Sequence, residues 1–338
     1  RELKSRQIFF KDNNEIIETI YFGGGTPTLL TSPEIKKILE TIILNFKIAD
    51  EPEITIEANP DDLSVSYLKE LKNFGINRIS LGVQSFFDED LKRMGRRHNG
   101  NQARGSLSMI FDAGFENVAM DLIYGLPWSS NEVLLNNIEI MDEFPLKHFS
   151  AYHLTIEPDT VFGKHKRGKK MFELDENISE EQFWLVHDET EKMGFEHYEI
   201  SNFCKPGYIS RHNTAYWKGI PYLGAGPGAH SFDGKNRFWN ESNLSKYIGA
   251  KLTDNHNGEI LTKQDRFNEQ LMLALRTRSG INISEMEEKY PELWEKIHSK
   301  ILKWEEEGFV KCDGKRYFCT RKGWFIVDRI IEDLFVIM

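Results

Sequence analysis

Residues Thr19-Ile20-Tyr21-Phe22-Gly23-Gly24-Gly25-Thr26-Pro27 decide how this chain is read. β-Branched and aromatic residues form a strand that runs straight into three glycines. Ser32-Pro33 then opens a helix, with Ser32 as N-cap and Pro33 in the first turn. Glycines at a strand end let the backbone approach a bound group, because no Cβ stands in the way. Their N–H groups can bind a polar ligand such as an α-amino acid or a carboxylate. Alone, the stretch reads better as a tight strand-to-helix turn. Its neighbours downstream choose between the two.

Three later segments share one pattern: Phe74–Gly82, Ala113–Asp121 and Met193–Ser201. In each, a glycine follows a helix-like stretch, as a residue just past a helix end should. Apolar residues then alternate as in a strand, and a small or polar residue closes it: Gly82, Asp121 or Ser201. The stretches 64–73, 101–113 and 180–193 supply the helices. Further strands fit at Glu53–Glu57 and His148–Leu154. Alternating strands and helices at this spacing predict a parallel sheet with helical crossovers. Such a sheet closes as a barrel or stays an open partial barrel, and chemistry then sits at the C-terminal strand ends. The rule selects Gly23 to Thr26, Glu57 to Pro60, Gln84-Ser85, Asp121 to Pro127 and Thr155 to Glu157.

From about Asp233 the rhythm stops. The polar stretch 233–261 reads as a connector. From Thr262 onward the pattern is helical, over Asp265–Arg276, Ile283–Lys289 and Leu293–Glu307. Gly308-Phe309-Val310 then leads into a hairpin with Asp313-Gly314 as its turn. Helices followed by a hairpin suggest a winged-helix-like module. The organisation expected is therefore 1–232 for the partial barrel and its extension, 233–261 for the connector and 262–338 for the C-terminal domain.

Composition narrows the function. A net charge of −10 over 338 residues argues against nucleic acid as partner, since phosphate binding needs a basic surface. No apolar run approaches the ~20 residues that span a bilayer. The cysteines, Cys204, Cys312 and Cys319, form no close metal-type cluster, and read as free thiols in a reducing cytoplasm.

Several strand-end side chains could carry a ligand. Glu57 can accept from an ammonium group or ribose hydroxyls, or make a surface ion pair. Gln84 offers donor and acceptor on one amide, as an adenosine-type ligand needs. Arg96 can grip a carboxylate, or sit solvated at a helix end. Asp121 lies inside an apolar strand, where a carboxylate is costly unless partnered. The run Arg211-His212-Asn213-Thr214-Ala215-Tyr216-Trp217 gathers His, Asn, Tyr and Trp in what reads as a loop. Imidazole ligates heme iron and aromatic faces suit a porphyrin. On the residues alone, an aromatic loop packed on the barrel is the better reading. Leu223–Ser231 is glycine-rich but lacks the spacing of a dinucleotide fingerprint, and His230 within it reads as structural more readily than as a ligand or acid.

Taken in order, Tyr21–Thr28, Ile56–Pro60, Ile79–Phe86, Arg93–His98, Asp121–Pro127, His197–Phe203 and Gly224–Ser231 resemble the HemN/HemW branch of the radical SAM superfamily. The resemblance implies an α/β fold, a partial (β/α)6 TIM-like barrel binding S-adenosylmethionine (SAM) on its upper rim. By motif position Gly24, Gly25, Thr26, Glu57, Gln84, Arg96 and Asp121 are the implied SAM contacts. The glycine backbone and Glu57 suit the amino end, Arg96 the carboxylate, Gln84 and Asp121 the ribose side. His212-Asn213-x-x-Tyr216-Trp217 resembles the H-N-x-x-Y-W motif of the heme chaperones in that branch. This implies heme binding through His212, Asn213, Tyr216 and Trp217 and delivery to heme-accepting proteins, some of them membrane-bound and reached by peripheral contact.

One family element is missing from the sequence. The superfamily carries C-x-x-x-C-x-x-C upstream of the glycine motif, three thiolates holding a [4Fe–4S] cluster. This chain has no cysteine before Cys204, so the cluster ligands, and the first barrel strand bearing them, are expected upstream of Arg1. The expectation is that these residues alone hold no cluster and perform no radical chemistry. Two other readings compete with the chaperone. One is an oxygen-independent coproporphyrinogen III dehydrogenase. The other is a metal-assisted barrel hydrolase, disfavoured because no histidine pairs with Glu57 and Asp121 on neighbouring strand ends.

Overall fold

The computed structural model describes residues 1–10, 15–168, 172–249 and 256–337. Seven strands form the main sheet: β1 (Ile17–Phe22), β2 (Ile48–Ala58), β3 (Arg78–Gln84), β4 (Asn117–Tyr124), β5 (His148–His153), β6 (Glu196–Glu199) and β7 (Asn202–Cys204). Their order is β1-β2-β3-β4-β5-β7-β6, which leaves β1 at an edge. β2 to β5 pair in parallel, as the alternating pattern predicts. Gly75, Gly114 and Gly194, the repeat glycines, all have positive φ (+101°, +85° and +79°), the conformation that ends a helix before a strand.

Alternation sorts the strand residues between two faces. Ile54, Ile56, Ile79, Leu81, Val83, Val118, Met120 and Leu122 are buried. So are Leu68, Leu71, Leu107, Ile110, Leu134 and Ile138 on the crossover helices Val65–Asn73, Gly100–Asp112 and Asn131–Asp142. These make the sheet–helix core. The other face is polar: Thr55 is in register with Arg78, Glu57 with Ser80, Asp121 with Ser150. Arg78 and His148 are buried there, at 2% and 0% exposure. Burial holds the His148 imidazole well below the ordinary histidine pKa, so the ring is neutral.

The structure corrects the expected sequence of parallel strands at one place. The third repeat, expected to supply one strand over 196–201, is a hairpin. β6 turns back into β7, which inserts antiparallel between β6 and β5. The cause is aromatic. Phe203 stacks on Phe149 of β5 at 4.5 Å and on His197 of β6 at 3.9 Å, with interplanar angles of 12° and 10°. A second correction is smaller. The helix after the glycines begins at Ser32 itself, and Thr31 acts as the cap: its N–H and hydroxyl donate to Glu34 at 2.8 and 2.7 Å.

The described residues group into two compact units. One comprises Thr19–Lys37 and Glu53–Ser210; the other comprises Arg1–Glu18, Ile38–Pro52 and Arg211–Met338. In the second unit, β8 (His230–Phe232), β9 (Asn236–Asn240) and β10 (His256–Ile260) form an antiparallel sheet, so the stretch read as a connector carries two strands. The glycine-rich turn 224–231 seats the N-terminal helix Glu2–Ser5. Arg6 donates to the Gly224 carbonyl at 3.0 Å and to Asn240 at 2.8 Å, and Glu2 accepts from Gly226 N–H at 2.9 Å. A Cβ on Gly224 would lie 2.1 Å from the His230 carbonyl oxygen, which is why a glycine stands there. His230 is exposed, its ring stacked on Trp239 at 5.9 Å. The C-terminal part packs helices Lys263–Leu275, Ile283–Lys289 and Pro291–Glu306 with β11 (Ile281–Asn282), β12 (Val310–Cys312) and β13 (Arg316–Cys319). Asp313-Gly314 turns the β12–β13 hairpin, as expected. The helix Val327–Leu334, unforeseen from the sequence, buries Val327, Ile330, Ile331 and Leu334.

Candidate functional site

The C-terminal ends of β1 to β4 enclose a cleft. Gly25, Thr26, Pro27, Glu57, Ala58, Asn59, Ser80, Gly82, Gln84, Arg96 and Asp121 line it. Six of the seven expected SAM contacts are among them. The seventh, Gly24, donates its N–H to Glu57 at 3.2 Å. Glu57 also accepts from the Tyr21 hydroxyl at 2.7 Å. Burial, then the Glu57 carboxylate, push the Tyr21 phenol far up, so it stays protonated and donates. A Cβ on Gly23 would lie 2.4 Å from the Tyr21 ring and 2.8 Å from Glu57 Oε1. The first glycine is thus there to make room for this pair.

β3 bulges between Leu81 and Gln84. Gln84 has φ +68°, the one positive value among described non-glycine residues. A left-handed conformation costs a residue with a Cβ about 1–2 kcal/mol, and such strain gathers at functional sites. Here it turns the amide into the cleft.

Arg96 donates from Nη2 to Asn59 Oδ1 at 2.9 Å and to the Gly82 carbonyl at 3.2 Å. Burial lowers its pKa from the ordinary value, while Asp61 and Asp121 act to raise it. Asp121, opposite, accepts from Ser150. Burial raises its carboxyl to about 6, with Glu57 adding to the rise and Arg78 and Arg96 opposing it. The cleft therefore joins carboxylates at Glu57 and Asp121, a cation at Arg96, an amide at Gln84 and a glycine backbone. An ammonium, a carboxylate and a ribose each find a complementary group. The donor set fits SAM.

Sequence reasoning selected Asn59 with the strand end Glu57 to Pro60 but missed Tyr21 and Ser80. Two-residue spacing from Gly82 would have found Ser80.

The second expected site lies elsewhere in the chain and is a helix, Arg211–Trp217, where a loop was expected. The run holds neither glycine nor proline, and Gly219 ends it at φ +62° with Ile220 N–H donating to the Ala215 carbonyl at 3.0 Å. None of its residues is buried. His212 and Tyr216, one turn apart, meet edge to face at 5.1 Å, and Tyr216 meets Tyr222 at 4.6 Å.

The sequence of this region and of the cleft matches known proteins. Residues 2–136 match the radical SAM superfamily and residues 261–326 the HemN C-terminal domain. A heme chaperone HemW of Lactococcus lactis is 34% identical over 94% of this chain and 84% of its own length. That of Bacillus subtilis is 34% identical over 91% and 82%. The chain belongs to the HemW family. Among solved structures, coproporphyrinogen III oxidase HemN from Escherichia coli, a radical SAM enzyme, superposes with a TM-score of 0.78 over 99% of this chain and 82% of that one. At 22% identity the likeness to HemN is one of fold.

Membership of the superfamily implies a [4Fe–4S] cluster as well as SAM. The cysteines of this HemW-family chain do not fit one. Cys204 is buried at 0% exposure in β7, and Cys319, also buried, has its thiol pushed up to about 12. A thiolate ligand needs the opposite shift. No helix among the described residues is long and apolar enough to cross a membrane.

Proposed function

We propose that this protein is a heme chaperone built on a SAM-binding scaffold, which binds heme and passes it to acceptor proteins. The observation that carries the reading is the match to heme chaperones over more than nine-tenths of the chain, together with His212-Asn213-x-x-Tyr216-Trp217 on one half-exposed helix. His212 supplies an imidazole for iron. Tyr216 and Trp217 offer flat apolar surface, and a half-exposed aromatic face can release what it binds. In the cleft, Glu57 and the Gly24–Thr26 backbone take the amino end of SAM, Arg96 its carboxylate, Gln84 and Asp121 its ribose side. The coproporphyrinogen reading has support only from the fold.

The test is heme titration followed by transfer. The protein should bind heme near stoichiometry and hand it to an apo-hemoprotein, and coproporphyrinogen III should remain unchanged in its presence with SAM and reductant. Decarboxylation of that substrate without heme transfer would reverse the assignment.

A further inference from the structure

Arg96 owes its position to a residue that no ligand need touch. Asp62 closes the short turn Pro60–Asp62 after β2, with its side chain 9% exposed. Its Oδ2 accepts from Asn59 Nδ2 and from Thr28 Oγ1, both at 3.1 Å. Its Oδ1 accepts from Arg97 Nη2 at 2.9 Å. We propose that Asp62 is the positioning residue that fixes Arg96 to receive a carboxylate, a proposal that rests on reading the cleft as a SAM site.

Hydrogen-bond direction links Asp62 to Arg96. An Asn side chain has one accepting and one donating end. Because Asp62 takes the Nδ2 end of Asn59, the Oδ1 end faces Arg96 and accepts from its Nη2 at 2.9 Å. Without Asp62 the amide is free to turn over and set donor against donor, which pushes the guanidinium away. The same carboxylate also holds Arg97, the chain neighbour of Arg96, a contact that Asp61 shares. Through Thr28 it also ties in the turn that follows the glycines. With Nη2 used by Asn59 and Gly82, no described hydrogen bond occupies Nη1 or Nε, and these remain for a ligand.

Asp61 is a built-in control. It pairs with the same Arg97 nitrogen at 2.9 Å, yet no described hydrogen bond joins it to Asn59 or Thr28. Loss of Asp61 removes nearby negative charge and leaves the amide orientation intact.

The experiment is titration calorimetry with two probes. S-adenosylhomocysteine keeps the amino-acid carboxylate; 5′-methylthioadenosine lacks it. Asp62→Ala should weaken the first by about 10-fold or more and the second by less than about twofold, the scale of one charge-assisted hydrogen bond. Asp61→Ala should cost neither ligand more than about twofold. In an Arg96→Ala background, Asp62→Ala should cost nothing further, since coupled residues lose their interaction once. If Asp62→Ala proves too unstable to titrate, Asn59→Ala cuts the same link and should discriminate between the probes in the same way. Equal loss for both probes, or additive loss with Arg96→Ala, overturns the positioning role. So does unchanged binding in Asp62→Ala when Arg96→Ala binds poorly. Unchanged homocysteine-ligand binding in Arg96→Ala overturns the SAM reading of the cleft itself.

Discussion

The strand-end cleft and the Arg211–Trp217 helix carry the chain's two ligand motifs, and they are built in opposite ways. In the cleft, Glu57, Asn59, Arg96 and Asp121 are each held by a named hydrogen bond, and Gln84 is held in a strained backbone. On the helix no residue is buried, Tyr216 is 41% exposed, and the described contacts of His212 and Tyr216 are ring edges. The cleft has met the entropic cost of ordering before any ligand arrives, so it can be selective. The helix presents half-exposed aromatic rings, which suit a flat cargo that must leave again. The two sites should therefore respond differently to single changes.

The largest effect is expected at Arg96. Arg96→Ala removes a half-buried guanidinium and should weaken S-adenosylhomocysteine by about 10- to 100-fold, the worth of one or more charge-assisted hydrogen bonds. Heme affinity should not change. Parallel losses at both ligands, read by calorimetry and by Soret titration, would break the contrast between the sites.

Asp121 gives the cleft a pH signature. Its carboxyl is raised to about 6 by burial, while Glu57 raises it further and Ser150, Arg78 and Arg96 pull it down. As pH falls below about 6 the group takes up a proton, and the charge-assisted bonds proposed to ribose hydroxyls would be lost. Affinity should then fall by up to about tenfold per pH unit. The stability term has the opposite sense. A carboxyl raised on folding binds its proton more tightly in the native state, so stability declines as pH climbs from about 4 to about 6. Asp121→Asn should flatten both profiles and bind the nucleoside ligand weakly at every pH. A wild-type affinity that stays constant from pH 7 to pH 5 would show that the ionised carboxylate plays no part.

Gly23→Ala sharpens the same contrast with a single methyl. At 2.4 Å from the Tyr21 ring and 2.8 Å from Glu57 Oε1, the new Cβ must displace one of them. Binding of the SAM analogue should drop several-fold, with a smaller loss in melting temperature, because the strand end is at the sheet's edge. Gly25→Ala, where the added carbon meets nothing within 4 Å, should cost less.

The cleft was legible in the sequence because the strand-end rule and the ordered motifs act on residues adjacent in the chain to predictable strands. Asp121 could be placed by counting from Gly114, and Glu57 from the β-branched strand that it closes. Asp62 could not, because its role depends on Thr28, Asn59 and Arg97 meeting in space. The β6–β7 hairpin was hidden for a similar reason: the stack of Phe149, Phe203 and His197 joins residues about fifty apart in the chain. The helical state of Arg211–Trp217 was missed because aromatic and polar residues have weak helix preference. What fixes it is the stop signal at Gly219-Ile220, just beyond the motif.

The smallest effects belong to that helix. His212→Ala removes an imidazole, so the Soret band of the heme complex should shift, because the axial field on the iron changes. Affinity should fall only several-fold, since the aromatic surface remains. Trp217→Ala takes away packing area and leaves the imidazole, so it should weaken binding by a similar factor while the band stays in place. The two effects separate because His212→Ala removes an imidazole, whereas Trp217→Ala removes only aromatic surface. If both variants shift the band, the helix itself has rearranged, which far-ultraviolet circular dichroism would reveal. If His212→Ala matches wild type in band and affinity, His212 is not the iron ligand, and the helix serves heme through its aromatic face alone.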